Sequence, residues 1–232
     1  PRIAGRRAGR AGWGGWGVSV ELIRIAGDDL DIVNGFRKSL NRSHQEFNEA
    51  DRRLISRGMN DGHTEPFRHC WAKFHIECSI GCARQVMTHK RYMAISEHST
   101  RYSKMPDDFI MPALKIQVGK PMEYRYIEAD PEKLARGRAI VERSRRQAYA
   151  DYQELLAEGF CREDARSVLQ LCQQTALIVS GDMAAWLRFL NRRTSAHAQD
   201  EIRGVAHEIE AHLRAAMPVT FEAWDAAERP AL

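Results

Sequence analysis

Apolar residues recur along the chain with two different periods, and the changes of period divide it into elements. Val18 to Ile25 carries enough aliphatic and β-branched side chains for a strand; Gly27-Asp28-Asp29 breaks it and offers helix-capping carboxylates. Asp29 to Leu40 reads as a helix, because Leu30, Val33, Phe36 and Leu40 fall at helical spacing. A second helix is predicted from Gln45 to Met59, ending near Gly58 and Asn60-Asp61-Gly62. From Trp71 to Cys78 the period drops to two: Ala72, Phe74, Ile76 and Cys78 alternate with Lys73, His75 and Glu77, the pattern of a half-buried strand. Ile80 to Met87 reads as a short helix, and Ser103 to Lys120, interrupted by prolines, as irregular chain with short extended pieces. From Pro131 onward the pattern is helical. One helix runs to about Ala157, closed by Gly159, and another segment opens at Arg162 and runs toward Ile178. Asp182 to Arg192 and Gln199 to Met217 complete the set, the last stopped by Pro218. With no internal repeat and no linker, a single α+β domain over 18–232 is expected, preceded by an arm at 1–17.

Length and charge narrow the partners. A chain of 232 residues can bury one large core. Lys plus Arg (35) exceeds Asp plus Glu (31) by four, and part of that excess sits in the first ten residues. The body is near neutral, which argues against a non-specific nucleic-acid binder. No apolar run approaches the ~20 residues that a membrane helix requires. The amino end is rich in Arg, Gly and Trp without the apolar middle of a signal peptide, so a flexible arm is expected, and a chain opening at Pro1 is expected to have lost an initiator Met or upstream residues. The five cysteines (70, 78, 82, 161 and 172) are an odd number without disulfide-module spacing, which points to a reducing cytoplasm. Cys78 and Cys82 have no matching second pair, so no zinc or other metal site is expected, and Cys78 falls on the inward face of its strand. Neither a G-x-G-x-x-G after a strand nor a P-loop motif is present.

The densest chemistry lies in His89-Lys90-Arg91-Tyr92-Met93-Ala94-Ile95-Ser96-Glu97-His98-Ser99-Thr100-Arg101-Tyr102. No apolar period runs through it, so it is expected to be a site loop and not core filling. Arg91 and Arg101 are planar cationic forks suited to phosphate or to a carbonyl gaining charge, and Ser99 and Thr100 add hydroxyls and adjacent backbone N–H groups. A solvated charged loop is the plain alternative. The stretch resembles the signature of the flavin-dependent thymidylate synthases, R-H-R-x-x-S-x-N-E-x-S-x-R, with Glu97, Ser99 and Arg101 in place. Four further segments resemble the same family in order: Gly62-His63-Thr64-Glu65-Pro66-Phe67-Arg68-His69, Arg162-Glu163-Asp164-Ala165-Arg166, Leu187 to Arg193 with His197-Ala198-Gln199 and Glu201-Ile202, and Pro218 to Trp224. There are departures. The family's R-H-R corresponds to His89-Lys90-Arg91 counted back from Ser99, or to Thr88-His89-Lys90 counted forward from Gln85. The two counts differ by one residue, which implies an insertion in the loop. Ser96 stands where the family usually has Asn, Ala94 where it has Ser, and Glu65 at a usual hydroxyl position. Asp182 and Arg188 stand where asparagines often face the flavin.

The resemblance implies an α+β fold with a central, mostly antiparallel sheet packed with long helices, assembled as a homotetramer. It implies reductive C5-methylation of UMP and/or dUMP, with FAD as cofactor and methylenetetrahydrofolate and NADPH as co-substrates. Arg193 would be catalytic, set against the N3/O4 edge of the pyrimidine. Gln85, Glu97, Ser99, Thr100, Arg101 and Arg166 would join it in holding the nucleotide. Ser39, His63, Glu65, His89, Lys90, Arg91, Ser96, Glu97, Asp182 and Arg188 would face the flavin. The composition and the altered loop also resemble the family's branch in polyoxin-type nucleoside antibiotic biosynthesis, whose members methylate UMP as well as dUMP. The alternative from another class is a non-catalytic nucleotide- or RNA-binding module built on the same basic loop.

Overall fold

The computed structural model describes residues 17–232, so the expected arm at 1–17 lies almost wholly outside the described residues. The framework is a four-stranded antiparallel sheet in the order β1 (Ser19–Ala26), β2 (Trp71–Ser79), β6 (Gln174–Asp182), β3 (Met93–Glu97). Between β1 and β2 run α1 (Asp29–Arg37), continued by a 3₁₀ turn to Leu40, and α2 (Glu49–Asn60); α3 (Ile80–Met87) leads out of β2. A small hairpin of β4 (Ile116–Val118) and β5 (Arg125–Ile127) precedes α4 (Pro131–Ala157) and the one-turn α5 (Arg162–Ala165). After β6 come α6 (Met183–Arg193), α7 (Asp200–Ala216) and α8 (Pro218–Ala226).

The period-two reading of β2 holds: Ala72, Phe74, Ile76 and Cys78 are buried. Strand register aligns Phe74 with Val179 and Leu22, and Ile76 with Leu177 and Val20, so one sheet face is continuous hydrophobic core. Trp186 of α6 closes on it, edge to Phe74 at 5.1 Å, and donates its indole N–H to the Ala72 carbonyl. Ile202, Val205, Ile209 and Leu213 of α7 join the same cluster. Truncating a ring such as Phe74 there would cost on the order of 3–5 kcal/mol. The opposite face, with Lys73, His75, Glu77, Ser180 and Ser96, is polar and only partly covered or exposed.

Caps set the helix starts. Asp28 caps α1 and Asn48 caps α2, each in a reciprocal capping box, so α2 begins four residues after the expected Gln45. Buried Asp29 accepts the Val219 and Thr220 N–H groups and so caps α8 across the fold. Gly27 turns β1 into α1 at φ 90°, and a Cβ there would stand 2.5 Å from Cys70 Sγ, so only glycine fits.

Three expectations are corrected. The segment opening at Arg162 does not run helically to Ile178: α5 ends at Ala165, and Gln174–Asp182 is strand β6 at the sheet's centre. Thr175, Leu177 and Val179 are buried on one side of it while Ala176, Ile178 and Ser180 are half-buried on the other, and pairing with β2 and β3 overrides any helical period. The stretch from His89 to Tyr102 is not all loop, because Met93–Glu97 is strand β3 and Met93 is a core residue. Leu40, expected on the apolar face of α1, is 67% exposed, because the chain has tightened into the 3₁₀ turn by then.

Candidate active site

Arg193 ends α6, whose buried face (Trp186, Leu187, Phe189 and Leu190 among others) fixes the helix on the sheet and leaves its last arginines at the rim. Its guanidinium reaches the carboxyl end of α3. Nη2 donates to the Gln85 carbonyl (3.1 Å) and to Thr88 Oγ1 (2.9 Å), and Nε donates to His89 Nε2 (3.0 Å). Helix ends expose unpaired carbonyls with partial negative charge, which is why a cation settles there. The position of α3 is set in turn by Glu201 of α7, which accepts both the N–H and the hydroxyl of Ser79 at 2.7 Å. Burial pushes the Glu201 carboxyl above its usual range. Gln85 is also bonded to Gln199 at the foot of α7.

This guanidinium is held by neutral acceptors. No carboxylate among the described residues pairs with Arg193, and Nη1 makes no hydrogen bond to the protein there. Burial and neighbouring Arg192 lower its pKa. His89 is buried at 5% exposure, edge to Phe189 at 4.9 Å, and burial together with Arg193 and Arg192 holds its imidazole at about 4, so it is neutral at physiological pH. Because Arg193 Nε must donate, His89 Nε2 is the unprotonated nitrogen. A fixed, half-buried cation with one edge of donors unused is fitted to receive charge developing on a ligand.

A second group forms where β3 ends. Ser99 opens a tight turn whose carbonyl accepts the Tyr102 and Ser103 N–H groups. The segment at α5 clamps this turn: Arg166 Nη1 donates to Thr100 Oγ1 (2.8 Å), Arg101 Nε pairs with Glu163 (2.9 Å), and Arg162 donates to the Tyr102 carbonyl. Glu97, the last residue of β3, accepts the hydroxyl of buried Thr175 at 3.0 Å. No hydrogen bond or ion pair joins this turn to the Arg193 group; the two sit at opposite ends of β3. At about 3.3 Å per residue, the four steps from Met93 to Glu97 separate them by roughly 13 Å along the strand.

Most of the residues assigned to the flavin lie on the 3₁₀ turn that continues α1, the segment before β2, α6 with its cap, and the chain before β3. Exposed Ser39 donates to the Phe36 carbonyl, exposed His63 lies edge-on to the Phe36 ring at 6.5 Å, and Glu65 is exposed beside Thr64. Lys90 and Arg91 are exposed, and Ser96 lies on the polar sheet face. Asp182 caps α6 through the Ala185 N–H and pairs with Arg68 at 3.0 Å. Arg188 lies 4.1 Å over the Tyr92 ring and donates to the Leu232 carbonyl. His89 is turned inward to Arg193. Sequence reasoning missed Arg68 and Glu163 as partners of site residues, although both lie inside the quoted motifs. Two shallow cavities, along α4 and between α1 and α2, contain none of these groups. Among the described residues no cluster of His, Cys, Asp and Glu is placed to hold a metal, and no helix is long and apolar enough to cross a membrane.

Residues 21–219 match the family model described as thymidylate synthase complementing protein. The flavin-dependent thymidylate synthase of Thermotoga neapolitana is 35% identical over 205 residues, which cover 88% of this chain and 89% of that protein. The Streptomyces coelicolor enzyme of the same name is 31% identical over 229 residues, covering 92% and 93%. Among solved structures, the UMP/dUMP methylase PolB of Streptomyces cacaoi bound with 5-Br dUMP superposes with a TM-score of 0.85 at 30% identity, covering 93% of this chain and 97% of that one. A second structure of PolB, bound with 5-Br UMP, gives 0.82. The chain belongs to the flavin-dependent thymidylate synthase family. It is an enzyme of methyl transfer, and its α+β fold is that of the family.

Proposed function

We propose that this enzyme methylates C5 of uridine monophosphates, dUMP and UMP, and that Arg193 activates the pyrimidine. The observation that carries the reading is the Arg193 guanidinium, fixed by three neutral acceptors with Nη1 unused. Set against the N3/O4 edge, it stabilises the enolate-like form of the ring, which places electron density on C5. One such preorganised donor lowers a barrier by ~3 kcal/mol. The nucleotide phosphate sits on the turn at Ser99, Thr100 and Arg101 with Arg166 behind it, and Gln85 and Glu97 orient the rest of the nucleotide.

The exposed donors suit FAD: Lys90, Arg91 and Arg68 match a pyrophosphate, and the open edges of His63 and Ser39 suit a planar ring and its substituents. Glu65, Ser96, Asp182 and Arg188 complete that surface in our reading. Bound FAD, reduced by NADPH, supplies the reducing equivalents, and methylenetetrahydrofolate supplies the carbon. The protein's own work is binding, orientation and charge stabilisation. We read the assembly as a homotetramer in which each site draws on several protomers, as the family resemblance implies. The reading places the enzyme in the cytoplasm.

The similarity to PolB supports UMP alongside dUMP, as does the extra residue in the loop between Gln85 and Ser99. The test is direct: purified protein with a flavin spectrum should convert dUMP to its C5-methylated product with methylenetetrahydrofolate and NADPH. Absence of product from both nucleotides, with flavin bound, sinks the proposal.

A further inference from the structure

His89 was expected to face the flavin, yet its ring points into the protein. We propose that His89 is a positioning residue for Arg193: its imidazole accepts the Nε–H and turns the unused Nη1 edge toward the pyrimidine. This rests on the reading of Arg193 given above.

Of five guanidinium N–H donors, three are engaged: one to His89 Nε2, and two on Nη2 to the Gln85 carbonyl and Thr88 Oγ1. Acceptors on two of its nitrogens, Nε and Nη2, fix both the plane and the rotation of the group, which a single bond would leave free. The three acceptors are not equivalent. Thr88 is exposed, and its hydroxyl also donates to the Gln85 carbonyl at 2.7 Å. His89 is buried, its backbone N–H bonds the Val86 carbonyl at 3.0 Å, and its ring is wedged against Phe189. The rigid reference for Arg193 is therefore His89. A carboxylate at this place would hold the arginine more tightly but would neutralise it. A neutral imidazole fixes the direction and leaves the full positive charge available to the ligand.

A packing role and a positioning role predict opposite outcomes. His89→Phe keeps an aromatic ring against Phe189 and removes the acceptor. His89→Gln loses the ring but returns an oxygen within reach of Arg193 Nε. If His89 only fills space, Phe is harmless and Gln is the damaging change. If it positions Arg193, the Phe variant should turn over about 10–100-fold more slowly, the penalty of a small displacement of a catalytic group. The Gln variant should then stay within about fivefold of the parent, on the same scale. Nucleotide affinity should change little in either, because the phosphate turn makes no contact with His89. In a variant with both His89→Phe and Arg193→Ala, turnover should be no lower than in Arg193→Ala alone, since both changes remove one function.

The measurement is kcat and dUMP affinity of flavin-loaded His89→Phe, His89→Gln, Arg193→Ala and the double variant. Arg193→Ala at parental rate overturns the reading of Arg193 itself. Arg193→Ala slow with His89→Phe at parental rate overturns only this proposal. Should the Phe protein not fold, His89→Leu, also without an acceptor, replaces it under the same expectations. Failure of both to fold assigns His89 to packing and overturns the proposal.

Discussion

Acidification should weaken this protein through His89 in a predictable amount. The ordinary pKa is 6.5, and burial with Arg193 and Arg192 holds the folded value at about 4. Between those values the unfolded chain binds a proton that the folded chain refuses, so stability rises with pH. The contribution of the neutral ring is complete above 6.5 and is lost as pH falls toward 4. At pH 5 the folded ring is still neutral and the unfolded one is charged. The loss is then about 1.5 units at about 1.4 kcal/mol each, or about 2 kcal/mol relative to pH 8. For a chain of this length that corresponds to about 4–8 °C in melting temperature. His89→Gln has no titrating group, so it should lack this share of the pH dependence. The assay is thermal melting of parent and His89→Gln at pH 8, 6.5 and 5, at one protein and flavin concentration, since association and ligand shift the midpoint. Parent and variant falling in parallel from pH 8 to 5 would refute the neutral, buried imidazole.

Other predictions concern the phosphate turn and the thiols. Arg166→Ala and Arg101→Ala should each cost ~2–4 kcal/mol of nucleotide affinity by calorimetry, and unchanged affinity in both would move the phosphate elsewhere. Glu163 competes with phosphate for Arg101 through a half-exposed pair worth ~0–1 kcal/mol, so Glu163→Gln should tighten nucleotide binding up to about fivefold, and weaker binding would contradict the competition. The hydrogen bond that the Cys82 thiol donates to Cys78, together with burial, pushes the Cys82 thiol up, and burial raises Cys70 to about 12, so neither is a thiolate at neutral pH. Cys70→Ser, Cys78→Ser and Cys82→Ser proteins that fold should each keep most of their turnover, and a folded variant without turnover would indicate covalent catalysis.

Where one period dominated, sequence and structure agree closely. The alternation from Ala72 to Cys78 gave β2, and Pro131 with Gly159 bracketed α4. The strand β6 was hidden because Gln174 to Asp182 is covered on both faces to different degrees, so its run of Thr, Ala, Leu, Ile and Val shows no clean alternation in hydropathy. Its state is decided by β2 and β3, which are distant in sequence. Strand β3 was hidden for the opposite reason: of its five residues only Met93 reaches the core fully. At the site, Arg193, Thr100, Arg101 and Arg166 were singled out through the resemblance to the family's motifs, and the structure ties Thr100 to Arg166 and Arg193 to Gln85. The inward turn of His89 and the pairing of Arg101 with Glu163 were not legible, because both depend on how α3, α5 and α6 pack.

The central claim is that Arg193 activates a uridine monophosphate for methylation at C5. The most direct test is side-by-side product formation from dUMP and UMP by flavin-loaded parent and Arg193→Ala, at saturating nucleotide with methylenetetrahydrofolate and NADPH. The account predicts C5-methylated product from both nucleotides in the parent, with kcat/KM values within about two orders of magnitude of each other. It predicts turnover lower by ~10²-fold or more in the variant, with its flavin retained. Equal turnover in the two proteins, or no product from either nucleotide, would contradict it.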